Sequence, residues 1–102
     1  MKEYNINFTD QFLEELDEAL YFFPYSNITR RKLYTEIRNK ILSLEIFPER
    51  YNKMNETKKI QENNIWKLPI NKFVVIYEVD NKKGEVYLLH IFSQKQDYLN
   101  LI

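Results

Sequence analysis

Residues 65–92 read IWKLPINKFVVIYEVDNKKGEVYLLHIF, and the fold turns on how this stretch is parsed. Three runs rich in β-branched and aromatic residues, IWKL, KFVVIYEV and EVYLLHIF, are separated by polar breaks at Pro69-Ile70-Asn71 and Asp80-Asn81-Lys82-Lys83-Gly84. Such runs between turn-forming residues predict an antiparallel meander. Alternation sends Val74, Ile76, Val86 and Leu88 one way and Phe73, Val75, Tyr77, Tyr87, Leu89 and Ile91 the other. Both faces are therefore largely apolar, so one needs cover from elsewhere in the chain and the other must meet a partner or stay curved and half exposed.

Upstream, Tyr4, Ile6 and Phe8 alternate with asparagines as in a half-buried strand. Thr9 is placed to cap a helix, with Phe8 and Leu13 as its hydrophobic staple. That helix carries Phe12, Leu13, Leu16, Leu20 and Phe23 at spacings of three and four, and Pro24 ends it. Asp10, Glu14, Glu15, Asp17 and Glu18 fill much of its remaining surface. A second helix, from about Arg30 to Ile46 and capped by Asn27 or Thr29, has Leu33, Ile37, Ile41 and Leu44 as its stripe. So short a connection predicts an antiparallel helical hairpin, whose natural partner is one face of the meander. Burying its stripe residues at roughly 1.5 to 3 kcal/mol each supplies much of the hydrophobic drive before entropy is subtracted. Residues 49–64, ERYNKMNETKKIQENN, are polar and read as a connecting loop with at most a helical turn.

The expectation is one α+β domain over residues 1–102. An N-terminal strand and a three-stranded C-terminal meander form an antiparallel sheet on the helical hairpin, in the order β-α-α-β-β-β. The chain has no cysteine and one histidine, which excludes disulfides and thiolate chemistry and speaks against a metal centre. No cofactor is expected. No run of about 18 apolar residues is present and the N-terminus lacks a signal-peptide core, so a cytoplasmic protein without a membrane partner is expected. The net charge is zero but uneven: six acids face one lysine in residues 1–28, and nine bases face four acids in residues 29–60. A protein held to nucleic acid mainly by its phosphates is usually basic overall, so any such contact here is local. The basic residues of the second helix, Arg30, Arg31, Lys32, Arg38 and Lys40, read as a solvated face or as a contact for an acidic partner segment or nucleic acid.

The ordered set YNINFTDQFLEELDEALYFF, SLEIFPER, IWKLPINKFVVIYEVD and VYLLHIFSQKQD covers nearly the whole chain. It resembles the RelE/ParE superfamily of bacterial toxins from type II toxin–antitoxin modules. The resemblance implies a small sheet with the helical hairpin on one face and a concave groove on the other. It further implies a growth-inhibiting toxin of the plasmid-stabilising kind, wrapped by a cognate antitoxin in a hetero-oligomer. RelE-like members cleave mRNA on the ribosome, whereas ParE-like members poison DNA gyrase and lack the nuclease residues. In this sequence Lys67 matches a basic nuclease position, but Val74 stands where those nucleases carry Arg and Ser93 where many carry His. Lys95 keeps one basic group after the last strand, with Gln94 and Gln96 beside it and Tyr98 near.

Attack of a 2′-OH on phosphate needs a general base, donors for the developing charge, and a general acid. Lys67, His90, Lys95 and Tyr98 are the candidates for that chemistry, and Trp66, Lys67, Val74, Gln94 and Lys95 for target or antitoxin binding. Each has a plainer alternative: His90 as a hydrogen-bonded structural residue, Lys67 as an edge-strand lysine, Trp66 as core or rim, Lys95 and Tyr98 as a solvated tail. Missing Arg and His favour a ParE-like, gyrase-directed toxin. A RelE-like endoribonuclease and a degenerate module that retains only antitoxin binding are the alternatives.

Overall fold

The computed structural model describes residues 3–22 and 27–94. The chain runs β1 (Asn5–Phe8), α1 (Asp10–Phe22), α2 (Asn27–Leu42), two 3-10 turns (Ser43–Glu45 and Pro48–Arg50), β2 (Asn52–Lys53), α3 (Lys58–Glu62), β3 (Ile65–Ile70), β4 (Phe73–Asp80) and β5 (Glu85–Ser93). The strands form one sheet in the order β1-β5-β4-β3-β2. No described helix is long and apolar enough to cross a membrane.

The expected meander is present: β3, β4 and β5 pair antiparallel in sequence order. Its first break is shorter than expected, because β3 continues through Pro69 and Ile70 and turns at Asn71-Lys72. Pro69 is tolerated because β2 covers β3 at Trp66 and Lys67 alone, leaving the rest of that strand as an edge where no N–H is required. Asn71 takes a φ of 57°, a left-handed conformation that asparagine accepts in a tight turn. At the second turn, Asp80 Oδ1 accepts from the backbone N–H groups of Lys82 and Lys83, both at 3.0 Å. Gly84, at φ 68°, then brings the chain into β5.

Two details depart from the expected arrangement. The N-terminal strand β1 runs parallel to β5, with Asn5 opposite Glu85 and Phe8 opposite Leu88. The segment read as a loop, 49–64, contributes β2 and α3, and it buries Met54 and Ile60. Thr57 caps α3 by accepting from Ile60 N at 3.1 Å. Two apolar anchors six positions apart show no helical or strand period, which is why this segment reads as plain loop.

The two long helices, α1 and α2, cover one face of the sheet. Phe12, Leu33, Ile37, Ile41 and Leu44 are buried there against Leu68, Ile70, Phe73, Val75, Tyr77, Val79, Val86, Leu88 and Ile91, with Leu16, Ala19 and Leu20 packed alongside. The α2 stripe is thus as its spacing predicts, although the helix begins at Asn27, before Arg30, and gives way to a 3-10 turn after Leu42. Thr9 caps α1 as expected, its Oγ1 accepting from Phe12 N at 3.2 Å and donating to Leu88 O at 2.6 Å. Leu13 is about half exposed, and the Phe8 ring meets Phe12, with centroids 6.0 Å apart. Phe23 and the Pro24–Ser26 break lie outside the described residues.

The facing of β5 differs from simple alternation. Val86 and Leu88 pair with Val79 and Tyr77 and share their helix-covered face, so they oppose Val74 and Ile76. A bulge follows: Tyr77 pairs with Leu88 but Ile76 with His90, leaving Leu89 as the extra residue. Beyond it Ile91 returns to the main core while His90 and Phe92 stand over the second face. His90 is therefore not in register with Val86 and Leu88.

Candidate functional site

The second face has its own apolar cluster. Ile65, Val74, Ile76 and Phe92 of the sheet pack against Met54 and Ile60, with Leu89 at the margin. Across the strands the side chains fall into rows: Asn52, Lys67, Ile76 and His90 in one, Pro69, Val74 and Phe92 in the next. The segment carrying Met54 and Ile60 thus lies on the face that the family resemblance leaves as an open groove.

Among the described residues this face carries two depressions that share no lining residue. The smaller, about 250 Å3, is bounded by Asn52, Lys67, Pro69, Val74 and Gln94. It brings together three of the residues singled out in the sequence: Lys67, Val74 and Gln94. Gln94 is held by its carboxamide, which donates to Asn71 O at 2.9 Å and Phe73 O at 3.1 Å, and by its backbone N–H to Lys72 O at 2.8 Å. These bonds tie the end of β5 to the β3–β4 turn. Val74 is buried and offers no donor where a nuclease would need one, so Lys67 supplies the cationic group among the lining residues. Ser93 pairs with Phe73 across the strands.

Trp66 is on the other side of β3. It packs against the main core, and its indole Nε1 donates to Asn64 Oδ1 at 2.9 Å. Asn64 in turn donates to Glu49 Oε2 at 2.6 Å, so the indole belongs to a polar latch under the 3-10 turn rather than to the Lys67 depression. Lys67 itself is flanked by β2 and is not the bare edge lysine considered from sequence. Lys95, Gln96 and Tyr98 lie outside the described residues.

The larger depression, about 490 Å3, is lined by Thr9, Gln11, Lys59, Ile60, Asn63, Ile65, Glu78, Leu89 and His90. His90 is the one sequence candidate here. Its Nδ1 lies 3.1 and 3.2 Å from the two carboxylate oxygens of Glu15, and Glu15 Oε1 also accepts from Ile91 N at 3.1 Å. Both side chains are largely buried. An ionised carboxylate can only accept, so Nδ1 carries the proton that is shared with Glu15. The imidazole also stacks on Phe92, with centroids 4.9 Å apart. Glu15 appears in the sequence as one acid among five on a solvated face. Its signal is positional: it sits three residues after buried Phe12, beside Leu16, on the stripe that meets the sheet.

Near α2, Leu20, Arg30, Arg31, Tyr34 and Thr35 line a shallow basic concavity. Elsewhere, Arg50 donates to Ser43 Oγ at 2.5 Å and Tyr51 OH at 3.0 Å, its guanidinium 5.0 Å from the Tyr51 ring centroid. Burial alone would raise the Tyr51 phenol, but these hydrogen bonds with Ser43 and Arg50 outweigh it and bring it below its ordinary value. Among the described residues no group of three or more His, Cys, Asp or Glu side chains is placed to hold a metal ion.

A family model described as the ParE toxin of the type II toxin–antitoxin system parDE matches residues 6–98. The chain belongs to the RelE/ParE superfamily of type II toxins. The fold of this superfamily recurs in the RelBE2 toxin–antitoxin complex from Mycobacterium tuberculosis, 17% identical with a TM-score of 0.67, covering 94% of this chain and 97% of that one. It recurs in the chromosomal ParDE system from P. aeruginosa, 14% identical with a TM-score of 0.70, over 89% and 96%. A mutant of E. coli toxin RelE in the free state is 14% identical with a TM-score of 0.65, over 97% and 92%. At these identities the likeness is one of fold. No curated protein sequence matches the chain. RelE-type and ParE-type structures both stand among the neighbours of this superfamily toxin, so the groove chemistry has to separate the two.

Proposed function

We propose that this toxin arrests growth by a ParE-like route, binding DNA gyrase in the cytoplasm without cleaving RNA, and that a cognate antitoxin neutralises it. The observation that carries this reading is the Lys67 depression. Its floor is Val74, its other polar groups are the neutral Asn52 and Gln94, and the Gln94 carboxamide N–H donors are already engaged by backbone carbonyls. A phosphoryl-transfer site depends on preorganised donors, and loss of one typically costs about 100 to 1,000-fold in rate. The test is a supercoiling assay with purified gyrase. Loss of supercoiling with no cleavage of ribosome-bound mRNA is the expected result, and intact supercoiling with mRNA cleavage would overturn it.

One observation favours a RelE-like ribonuclease as the second reading. Lys67 and His90 share a cross-strand row with Ile76 between them, which places them about 10 Å apart at two strand spacings. Cleavage that disappears in both Lys67→Ala and His90→Phe would select this reading. Growth that continues when the chain is produced without an antitoxin would reject both and leave a module that only binds its partner.

A further inference from the structure

Residues 55–63 differ from the rest of the described chain in how they are held. Every one of them is exposed except Ile60, which is 4% exposed. Among the described residues, the hydrogen bonds of this segment close on the segment itself: Ile60 N donates to Thr57 Oγ1 at 3.1 Å, Gln61 Nε2 to Asn55 O at 2.7 Å and Asn63 Nδ2 to Lys59 O at 2.8 Å. Its two ends, by contrast, are tied to the sheet. Met54 N donates to Ile65 O at 2.9 Å, and Val79 N donates to Asn64 O at 3.0 Å. What holds 55–63 on the second face is therefore the Ile60 side chain, which joins Met54 over Ile65, Val74, Ile76 and Phe92.

Lifting such a segment breaks no hydrogen bond to the sheet and loses chiefly the burial of one aliphatic side chain. The same segment supplies Lys59, Ile60 and Asn63 to the lining of the larger depression, whose other walls come from the start of α1 and from the sheet. Those other walls are fixed, Thr9 by its bonds with Leu88 and Phe12 and His90 by Glu15 and the stack on Phe92. One wall of the cavity can thus leave while the rest stays in place. We propose that residues 55–63 are a lid that swings between fixed ends at Met54 and Asn64, and that the conformation described above is its closed state. Opening carries Ile60 away and extends the depression onto the apolar sheet surface around Ile76. The row Lys67, Ile76 and His90, covered at its centre in the closed state, gains exposure there in the open one. A partner that engages the centre of this row meets it only in the open fraction of molecules, and its apparent affinity falls by that fraction.

The chain has no cysteine, so one introduced thiol reports on a single position. Ile76→Cys puts it beneath the lid and Val75→Cys puts it in the helix-covered core, both at positions that are 0% exposed. The full chain is treated with an aromatic disulfide reagent at urea concentrations below the unfolding transition, and each rate is set against the global unfolding constant of the same variant. The Val75→Cys thiol should react through global unfolding alone, with the full urea slope. The Ile76→Cys thiol should react at least about 100-fold faster than its global unfolding constant allows, with a small slope, because opening exposes little surface. Two second substitutions separate the lid from the core. Ile60→Ala should speed the Ile76→Cys reaction about 30-fold or more, as loss of a buried isoleucine side chain implies. Ile37→Val, under α2, should speed the Val75→Cys reaction about fivefold and leave the Ile76→Cys reaction unchanged, since the main core stays folded when the lid opens. Reaction of Ile76→Cys at the global rate with the full slope would overturn the proposal. So would an Ile37→Val effect that is equal at both thiols, or no acceleration by Ile60→Ala. No partner and no growth assay enters the measurement, so the lid and the toxin reading stand or fall separately.

Discussion

Glu15 reaches from the first helix to the bulge in β5 and satisfies two groups that the sheet leaves over, the His90 imidazole N–H and the Ile91 amide. Truncation to alanine strands both in a largely buried place, so Glu15→Ala should destabilise the protein by about 2 to 3 kcal/mol, read as a lower urea midpoint with unchanged slope. Glu15→Gln retains an acceptor and should cost about 1 kcal/mol. Tyr77 carries a different dependence. Its hydroxyl donates to Pro48 O at 2.5 Å in the core, and burial pushes its pKa well above the ordinary 10.0. Since the unfolded phenol ionises first, the unfolded chain loses protons before the folded one, and stability falls as pH rises above 10.0. Tyr77→Phe should flatten that alkaline loss while costing about 1 kcal/mol at neutral pH, which chemical denaturation at a series of pH values would resolve. A lone histidine in an apolar strand was legible as a residue of interest. Its partner was not, because an acid on an amphipathic helix looks solvated until the strand it crosses is known.

At the scale of elements, the legible parts were those whose pattern repeats. The α2 stripe at Leu33, Ile37, Ile41 and Leu44, the Thr9 cap and the three meander strands follow directly from periodicity and turn chemistry. The bulge at Leu89 left no trace, since its neighbours on both faces are apolar and alternation is blind to an inserted residue. The direction of β1 was equally hidden, for a four-residue strand pairs by what its crossover allows. The α3 segment is the case with the largest consequence, because two residues anchor it to the second face. Met54→Ala should cost about 2 to 4 kcal/mol if the segment stays closed over the cavity it leaves. Hydrogen exchange should show the 54–62 amides opening below the global unfolding free energy in the wild type and more readily in the variant. Thr9→Ala should remove about 1 kcal/mol through the lost cap, detectable as a lower melting temperature.

For the whole molecule, family membership was legible because an ordered set of weak signals spans the chain, whereas no single motif carries it. The groove brings Lys67, Val74 and Gln94 together in one depression. It was read incompletely at the second depression, whose lining comes from α1, the segment around α3 and three strands that no linear spacing joins. A cognate antitoxin that binds the folded toxin should raise its melting temperature in a concentration-dependent way, by mass action. If the basic side chains of α2 meet an acidic antitoxin segment, that stabilisation should decline as salt rises through about 0.1 to 0.5 M.

The parallel pairing of β1 with β5 joins the start of the chain to residues eighty positions later, Asn5 to Glu85. During synthesis at about 5 to 20 residues per second, β1 therefore waits roughly 4 to 16 seconds for its neighbour to be made. Until then α1 has neither the β5 floor beneath Phe12 nor the imidazole that Glu15 receives. Ribosomal elongation thus acts as a clock on this toxin, with a nascent interval in which its sheet does not yet exist.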